Sequence, residues 1–309
     1  MKLAAVPAAF LAVVFAFGQD RPVTGVVEQF INATPQGDAF VGRNNGTWAL
    51  LFIDLTPRAR LTFGYWEINS RKIKMLDENF LSLSFDKAEV WVGRIRTPFG
   101  HNNWDDAWYW GTTFRPLVQT MAIADLRSIL RLDTGVSVHA NLGPVFLQAS
   151  AVDATSDRWQ VLPEKIDHYV LRTEMAVGDA IVGLNGLVGD RWFAKDAPKA
   201  YGLDFRYSLP NIVLRGELLA NSKGGKTAGG GYLDAGLKIV GIPKLTILGR
   251  YDFNRLPGKT ETLELHTLGA KYALTPNIVL MVAYGFGPTN TATADLKGWS
   301  SMVMFRYRF

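Results

Sequence analysis

Apolar and polar residues alternate with a period of two along most of this chain. In Leu245-Thr246-Ile247-Leu248-Gly249-Arg250-Tyr251-Asp252-Phe253 the apolar set falls mainly on odd positions and the charges on even ones. That period places each set on its own face of an extended strand. The same template predicts strands at 23–32, 46–54, 59–68, 79–85, 88–97, 130–141, 144–153, 167–177, 180–189, 199–208, 211–221, 231–240, 244–253, 262–273, 277–286 and 299–309, sixteen in all. Tight connections rich in Pro, Gly and Asp, such as Asp86-Lys87, Gly178-Asp179 and Leu209-Pro210, suit hairpin turns. Longer links at 33–45, 69–78, 98–129, 154–166, 190–198, 222–230, 254–261 and 287–298 come between them. Short and long connections in alternation, with both chain ends on the short-turn side, fit an antiparallel all-β barrel that spans a membrane. Short turns are then expected on the periplasmic side and long loops outside.

The two faces differ in chemistry. One carries Leu61, Phe63 and Tyr65; Val136 and Val138; Leu203, Phe205 and Tyr207; Leu233 and Leu237; and Leu280, Val282, Tyr284 and Phe286. The other carries Arg131 with Asp133, Arg172 with Glu174, Asp204 with Arg206, Arg215 with Glu217, Asp234 with Lys238, and Arg250 with Asp252. Each pair lies two or four residues apart, so both members point the same way. An Arg or Lys on a lipid-facing wall costs roughly 2–4 kcal/mol at the bilayer midplane. Charges confined to one face therefore predict that this face lines a wet lumen, with outer-membrane lipid against the other. The charges nearly cancel, which predicts weak selectivity. Sixteen strands enclose more space than side chains fill, so a water-filled channel is expected unless loops plug it. The tail repeats the pattern: Val303, Phe305, Tyr307 and Phe309 share one face. A terminal aromatic on such a strand resembles the signal that outer-membrane proteins present to the barrel assembly machinery, which makes that machinery an expected partner.

The rest of the chain supports the same compartment. Lys2, the apolar run Leu3 to Phe17 and the small-x-small stretch Ala16-Phe17-Gly18 read as a signal peptide over 1–18, with Gln19 opening a barrel domain over 19–309. No later stretch is long and apolar enough for a helical span. There are no cysteines, which excludes disulfides, thiolate metal sites and Cys nucleophiles. The net charge of +5 is spread as alternating signs, so no nucleic-acid partner is expected. The run Ser222 to Gly231, with five glycines, reads as a mobile loop.

The longest link, 98–129, is too aromatic for a solvated outer loop. It holds Trp104, Trp108, Tyr109 and Trp110 and is expected to fold into the lumen as a constriction. Its entry, Gly93-Arg94-Ile95-Arg96-Thr97-Pro98-Phe99-Gly100, resembles the GR-x-[KR]-x-PFG motif of the phosphate-selective porin O/P family, and Phe114-Arg115-Pro116 resembles that family's aromatic-Arg-Pro elements. The resemblance implies a sixteen-stranded, homotrimeric bacterial outer-membrane porin with its constriction in the third long loop. It places Arg94 and Arg96 on the wall beside that constriction. With Arg115 and Arg127 they would form its cationic side, suited to anions by the fixed donor fork of arginine. Asp105 and Asp106 would form the opposing side. The bland alternative pairs Arg94 and Arg96 with carboxylates such as Glu89 or Asp105. A dense basic cluster in the fifth long loop, as the family's phosphate selectivity would need, is lacking: Arg191 and Lys195 stand beside Asp190 and Asp196.

His101, His139, His168 and His266 lack the spacing of metal ligands. Ser137 and His139 share a strand face, yet no nucleophile-elbow pattern accompanies them. The reading is therefore a non-enzymatic porin that needs no cofactor and passes small hydrophilic solutes or ions, with a possible anion or phosphate preference. A substrate-specific sugar channel, using the loop tryptophans as stacking surfaces, and a non-conducting structural barrel are the alternatives.

Overall fold

The computed structural model describes residues 23–33, 35–36, 39–40, 44–68, 73–100, 132–153, 160–189, 199–223, 225–255, 260–287 and 298–308. The signal-peptide segment 1–18 and Phe309 lie outside them. Sixteen strands close into one antiparallel barrel. They are β1 (Val23–Ala33), β4 (Asn44–Thr56), β5 (Ala59–Ile68), β6 (Ile73–Ser84), β7 (Ala88–Ile95), β8 (Asp133–Leu142), β9 (Val145–Asp153) and β10 (His168–Val177). The series continues with β11 (Ala180–Gly189), β12 (Lys199–Ser208), β13 (Ile212–Lys223), β14 (Lys226–Ile239), β15 (Ile242–Arg255), β16 (Thr262–Thr275), β17 (Ile278–Phe286) and β18 (Gly298–Arg308). A two-residue hairpin of β2 (Pro35–Gln36) and β3 (Ala39–Phe40) stands apart from the wall.

Each strand pairs with its sequence neighbours, and β18 closes the ring on β1 with Arg306 opposite Glu28. Closure leaves no free edge, so every wall strand has its backbone groups paired on both sides, as a hydrocarbon medium demands. At the seam the Arg306 guanidinium is hydrogen-bonded to the Glu28 carboxylate, both buried. This ion pair ties the first strand to the last inside the lumen.

The face assignment holds strand by strand. Leu203, Phe205, Leu218, Leu233, Leu237, Leu280, Val282, Tyr284 and Phe286 are exposed on the outside. Asp204, Glu217, Asp234, Arg250 and Asp252 are buried on the inside. In the C-terminal strand Phe305 and Tyr307 are exposed while Met302, Met304 and Arg306 are buried. So extensive an apolar outer surface has no place in water and suits a wall against lipid.

Two predicted links prove to be wall. β6 begins at Ile73, not 79, because the acidic pair Asp77-Glu78 sits on a bulge opposite β5 rather than in a loop; the register shifts between Phe63 and Tyr65. The side-chain amide of Asn79 donates to the Gly64 carbonyl there, at 2.8 Å. The supposed mobile loop 222–230 is mostly the ends of β13 and β14, which pair through to Lys223 opposite Lys226. Gly230 and Gly231 answer crowding, not flexibility. A Cβ on Gly230 would collide with the Phe253 carbonyl oxygen, and one on Gly231 with that of Glu217.

Candidate functional site

The pairing registers stack the inward side chains into rows. One row runs Glu174, Gly183, Asp204, Glu217, Tyr232, Asp252 across β10 to β15. The row next to it, nearer the short turns, runs Arg206, Arg215, Asp234, Arg250, Thr267 across β12 to β16. A row of carboxylates thus lies against a row dominated by arginine. The sequence spacing of two between Asp204 and Arg206, Arg215 and Glu217, and Arg250 and Asp252 creates this arrangement, because each pair steps from one row to the next on the same face.

Arg172 is the best-anchored member. Its guanidinium meets Asp204 at 2.7 and 2.9 Å through two nitrogens. It also donates to Glu174 at 2.8 Å and to the Asn185 side-chain oxygen at 2.5 Å. Arg172 is 0 % and Asp204 2 % exposed, so this fork-to-fork pair is dry. Gly183 makes room for it: a Cβ there would press on Asp204 and on the Arg172 guanidinium. Further round the wall Arg250 donates to Asp252 at 2.8 Å. Asp234 lies 3.8 Å from both Arg215 and Arg250.

The two arginines at the entry to the long link differ in their partners. Arg94 is buried and its Nε donates to the Leu76 carbonyl at 3.2 Å. Arg96 is ion-paired with Glu78 and lies 3.9 Å from Asp77. Asp77 in turn accepts a hydrogen bond from the Trp48 indole. The bulge of β6, assigned to a loop by sequence pattern, therefore supplies carboxylates to this corner. Immediately before Arg94, Gly93 has a φ of 136°, a conformation that favours glycine, and interrupts the alternation there.

Of the 98–129 segment, Pro98, Phe99 and Gly100 are described. Phe99 is 1 % exposed and clusters with Val170, Leu187, Ala200, Leu219, Ala228 and Tyr232, inward residues of β10 to β14. The Gly100 N–H donates to the Asn185 side-chain oxygen at 3.2 Å. The chain that leaves β7 therefore enters the lumen and reaches β11, four strands round the wall. Asp105, Asp106, Arg115, Arg127 and Arg131, with the aromatic run Trp104 to Trp110, lie outside the described residues. Asp133, the predicted partner of Arg131, is fully buried, and its carboxylate accepts the Thr134 N–H at 3.0 Å.

Asn185 was not singled out from sequence, though a signal was present. It is the one polar side chain in the β11 sequence AIVGLNGLVG, at an inward position. It joins the Arg172–Asp204 pair to the entering chain, donating to Asp204 at 2.8 Å while accepting from Arg172 and from Gly100.

Ser137 and His139 do meet: Ser137 Oγ is 2.9 Å from His139 Nε2. Ser137 is 0 % exposed, and Ser150 Oγ stands 2.7 Å from it. The Gln148 amide approaches the same imidazole nitrogen, at 2.8 Å. These contacts join β8 to β9 in a buried polar group, and the Trp91 ring lies over His139, tilted by 42°, with centroids 4.0 Å apart. Among the described residues no cluster of three or more His, Asp or Glu side chains could hold a metal ion.

No protein-family model and no curated protein matches this chain. Solved structures do match its fold. OmpF of Salmonella typhi, in complex with daunomycin, aligns with a TM-score of 0.68 at 11% identity, covering 94% of this chain and 97% of that one. A loop-deletion mutant of OmpT, an outer membrane protein of Vibrio cholerae, aligns with a TM-score of 0.64 at 10% identity, covering 94% and 99%. The anion-selective porin from Comamonas acidovorans aligns with a TM-score of 0.60 at 15% identity, covering 94% and 99%. These likenesses establish a porin-like barrel fold.

Proposed function

We propose that the protein is a passive, non-enzymatic diffusion channel of the bacterial outer membrane, which lets small hydrophilic solutes and ions cross down their gradients. The observation that carries this reading is a closed sixteen-stranded wall with charge rows inside and a predominantly apolar surface outside. The fold it shares with solved porins supports it. The entry of Phe99 and Gly100 into the lumen supports a constriction built by residues 98–129, with Asp105, Asp106, Arg115 and Arg127 as its charged rim. The porin-like fold also supports assembly as a homotrimer, and the aromatic C-terminal strand supports delivery by the barrel assembly machinery.

An anion or phosphate preference, the finer reading drawn from the resemblance, would rest on Arg94 and Arg96. Arg96 is ion-paired with Glu78, which offsets its charge, while Arg94 donates to a neutral backbone carbonyl; with the lumen charges nearly balanced, selectivity is expected to be weak. A constriction built by residues 98–129 would make passage depend steeply on solute size. Reconstituted into liposomes, the protein is expected to produce swelling rates that fall steeply with sugar size. Liposomes that do not swell in any small sugar would refute the diffusion reading and favour a non-conducting structural barrel.

A further inference from the structure

On the outward face of β8 to β12 the wall carries a groove of about 480 Å³, open to the surrounding medium. Its floor is made of small residues, Ala149 and Ala151 on β9 and Gly186 on β11. Between them stands the ridge of β10, where Tyr169 faces Ala151 and Leu171 lies opposite both Ala149 and Gly186. Tyr201 bounds the far side, opposite Gly186. Tyr169, Leu171 and Tyr201 are 48 %, 50 % and 57 % exposed, so the groove is bordered by side chains that stand well clear of the backbone.

We infer that this groove seats an acyl chain of a lipid in the leaflet on the long-link side, a lipid held while its neighbours exchange. The inference rests on the outer-membrane reading above. Three observations fix the occupant. The groove lies on the apolar outer wall, so hydrocarbon covers it. It lies toward one leaflet: Tyr169 and Tyr201 are near the starts of β10 and β12, where the long links after β9 and β11 enter. Tyrosine there can keep its ring against the chain and its hydroxyl at head-group level. Lastly, its floor of small residues lies sunk between the protruding side chains of Tyr169, Leu171 and Tyr201. Between lipid and wall there is no hydrophobic drive, so affinity comes from dispersion contacts, which a flexible chain makes along a trough and a rigid second barrel with protruding leucines does not.

The test fills the floor. A Cβ on Gly186 would meet nothing within 4 Å, so a larger side chain is accommodated outward without disturbing the wall. The full-length protein, reconstituted with dimyristoyl phosphatidylethanolamine, is examined by native mass spectrometry at rising collision energy. The wild type is expected to keep one lipid per barrel after the others are stripped. Ala149→Leu/Gly186→Leu should lose that lipid, each single variant should hold it less firmly, and channel conductance should be unchanged. Equal lipid retention in the double variant would overturn the inference. So would a change in oligomer mass with retention unaltered, which would make the groove a contact between copies. Loss of the lipid in the double variant with no conductance in any form would uphold the seat and sink the channel reading alone.

Discussion

Arg172→Met should destabilise the barrel by about 3–5 kcal/mol, because it removes the guanidinium that Asp204 is forked to inside a dry wall. A carboxylate 2 % exposed has little water to fall back on. Asn185 would still donate to it, but a neutral amide does not replace a cation at 2.7 Å. Arg172→Met/Asp204→Asn should recover most of the loss, since the charge left behind is gone and the amide can still bond to Asn185. Urea unfolding in lipid vesicles measures both. If the double variant is as unstable as the single one, side-chain volume rather than charge pairing dominates at this site.

Leu268→Arg is expected to cost about 2–4 kcal/mol of the same folding free energy, through a different cause. Leu268 is at the middle of β16, 57 % exposed on the outer face between Gly249 and Tyr284. Arginine there must sit in hydrocarbon or reach past the wall to a head group. Leu274→Arg is the control. It is also exposed but lies at the short-turn end of the same strand, where the penalty falls to about 0–1 kcal/mol. A penalty equal at both positions would mean that the outer face does not meet a bilayer.

Most of the wall was legible in the sequence because a sheet with one wet and one greasy face writes its period directly into the chain. Leu203-Asp204-Phe205-Arg206-Tyr207 could be assigned face by face without coordinates, and Val303 to Tyr307 likewise. What broke legibility were departures from period two. The bulge at Asp77-Glu78 placed adjacent acids where alternation expects one, so half of β6 read as loop. Gly229, Gly230 and Gly231 carry no side chain for the pattern to score, so a crowded strand read as a flexible link. The partner of Arg96 was hidden for the same reason, since Glu78 lay in the misread segment.

The site was less legible than the wall, because rows across strands depend on register. The sequence showed that Asp204 and Arg206 share a face. It did not show that Asp204 lies beside Glu217 and Gly183, or that Arg172 reaches over Gly183 to find it. Asn185 gained its importance only from the chain that crosses to meet it, and no local pattern announces a contact eighty-five residues away.

On the proposed function this wall encloses a water-filled path through a membrane. Current recorded across a planar bilayer containing the purified protein tests it most directly. Discrete conductance steps are expected and, under a salt gradient, a zero-current potential close to zero, as nearly balanced lumen charges require. A membrane that takes up the folded protein and passes no current would contradict it.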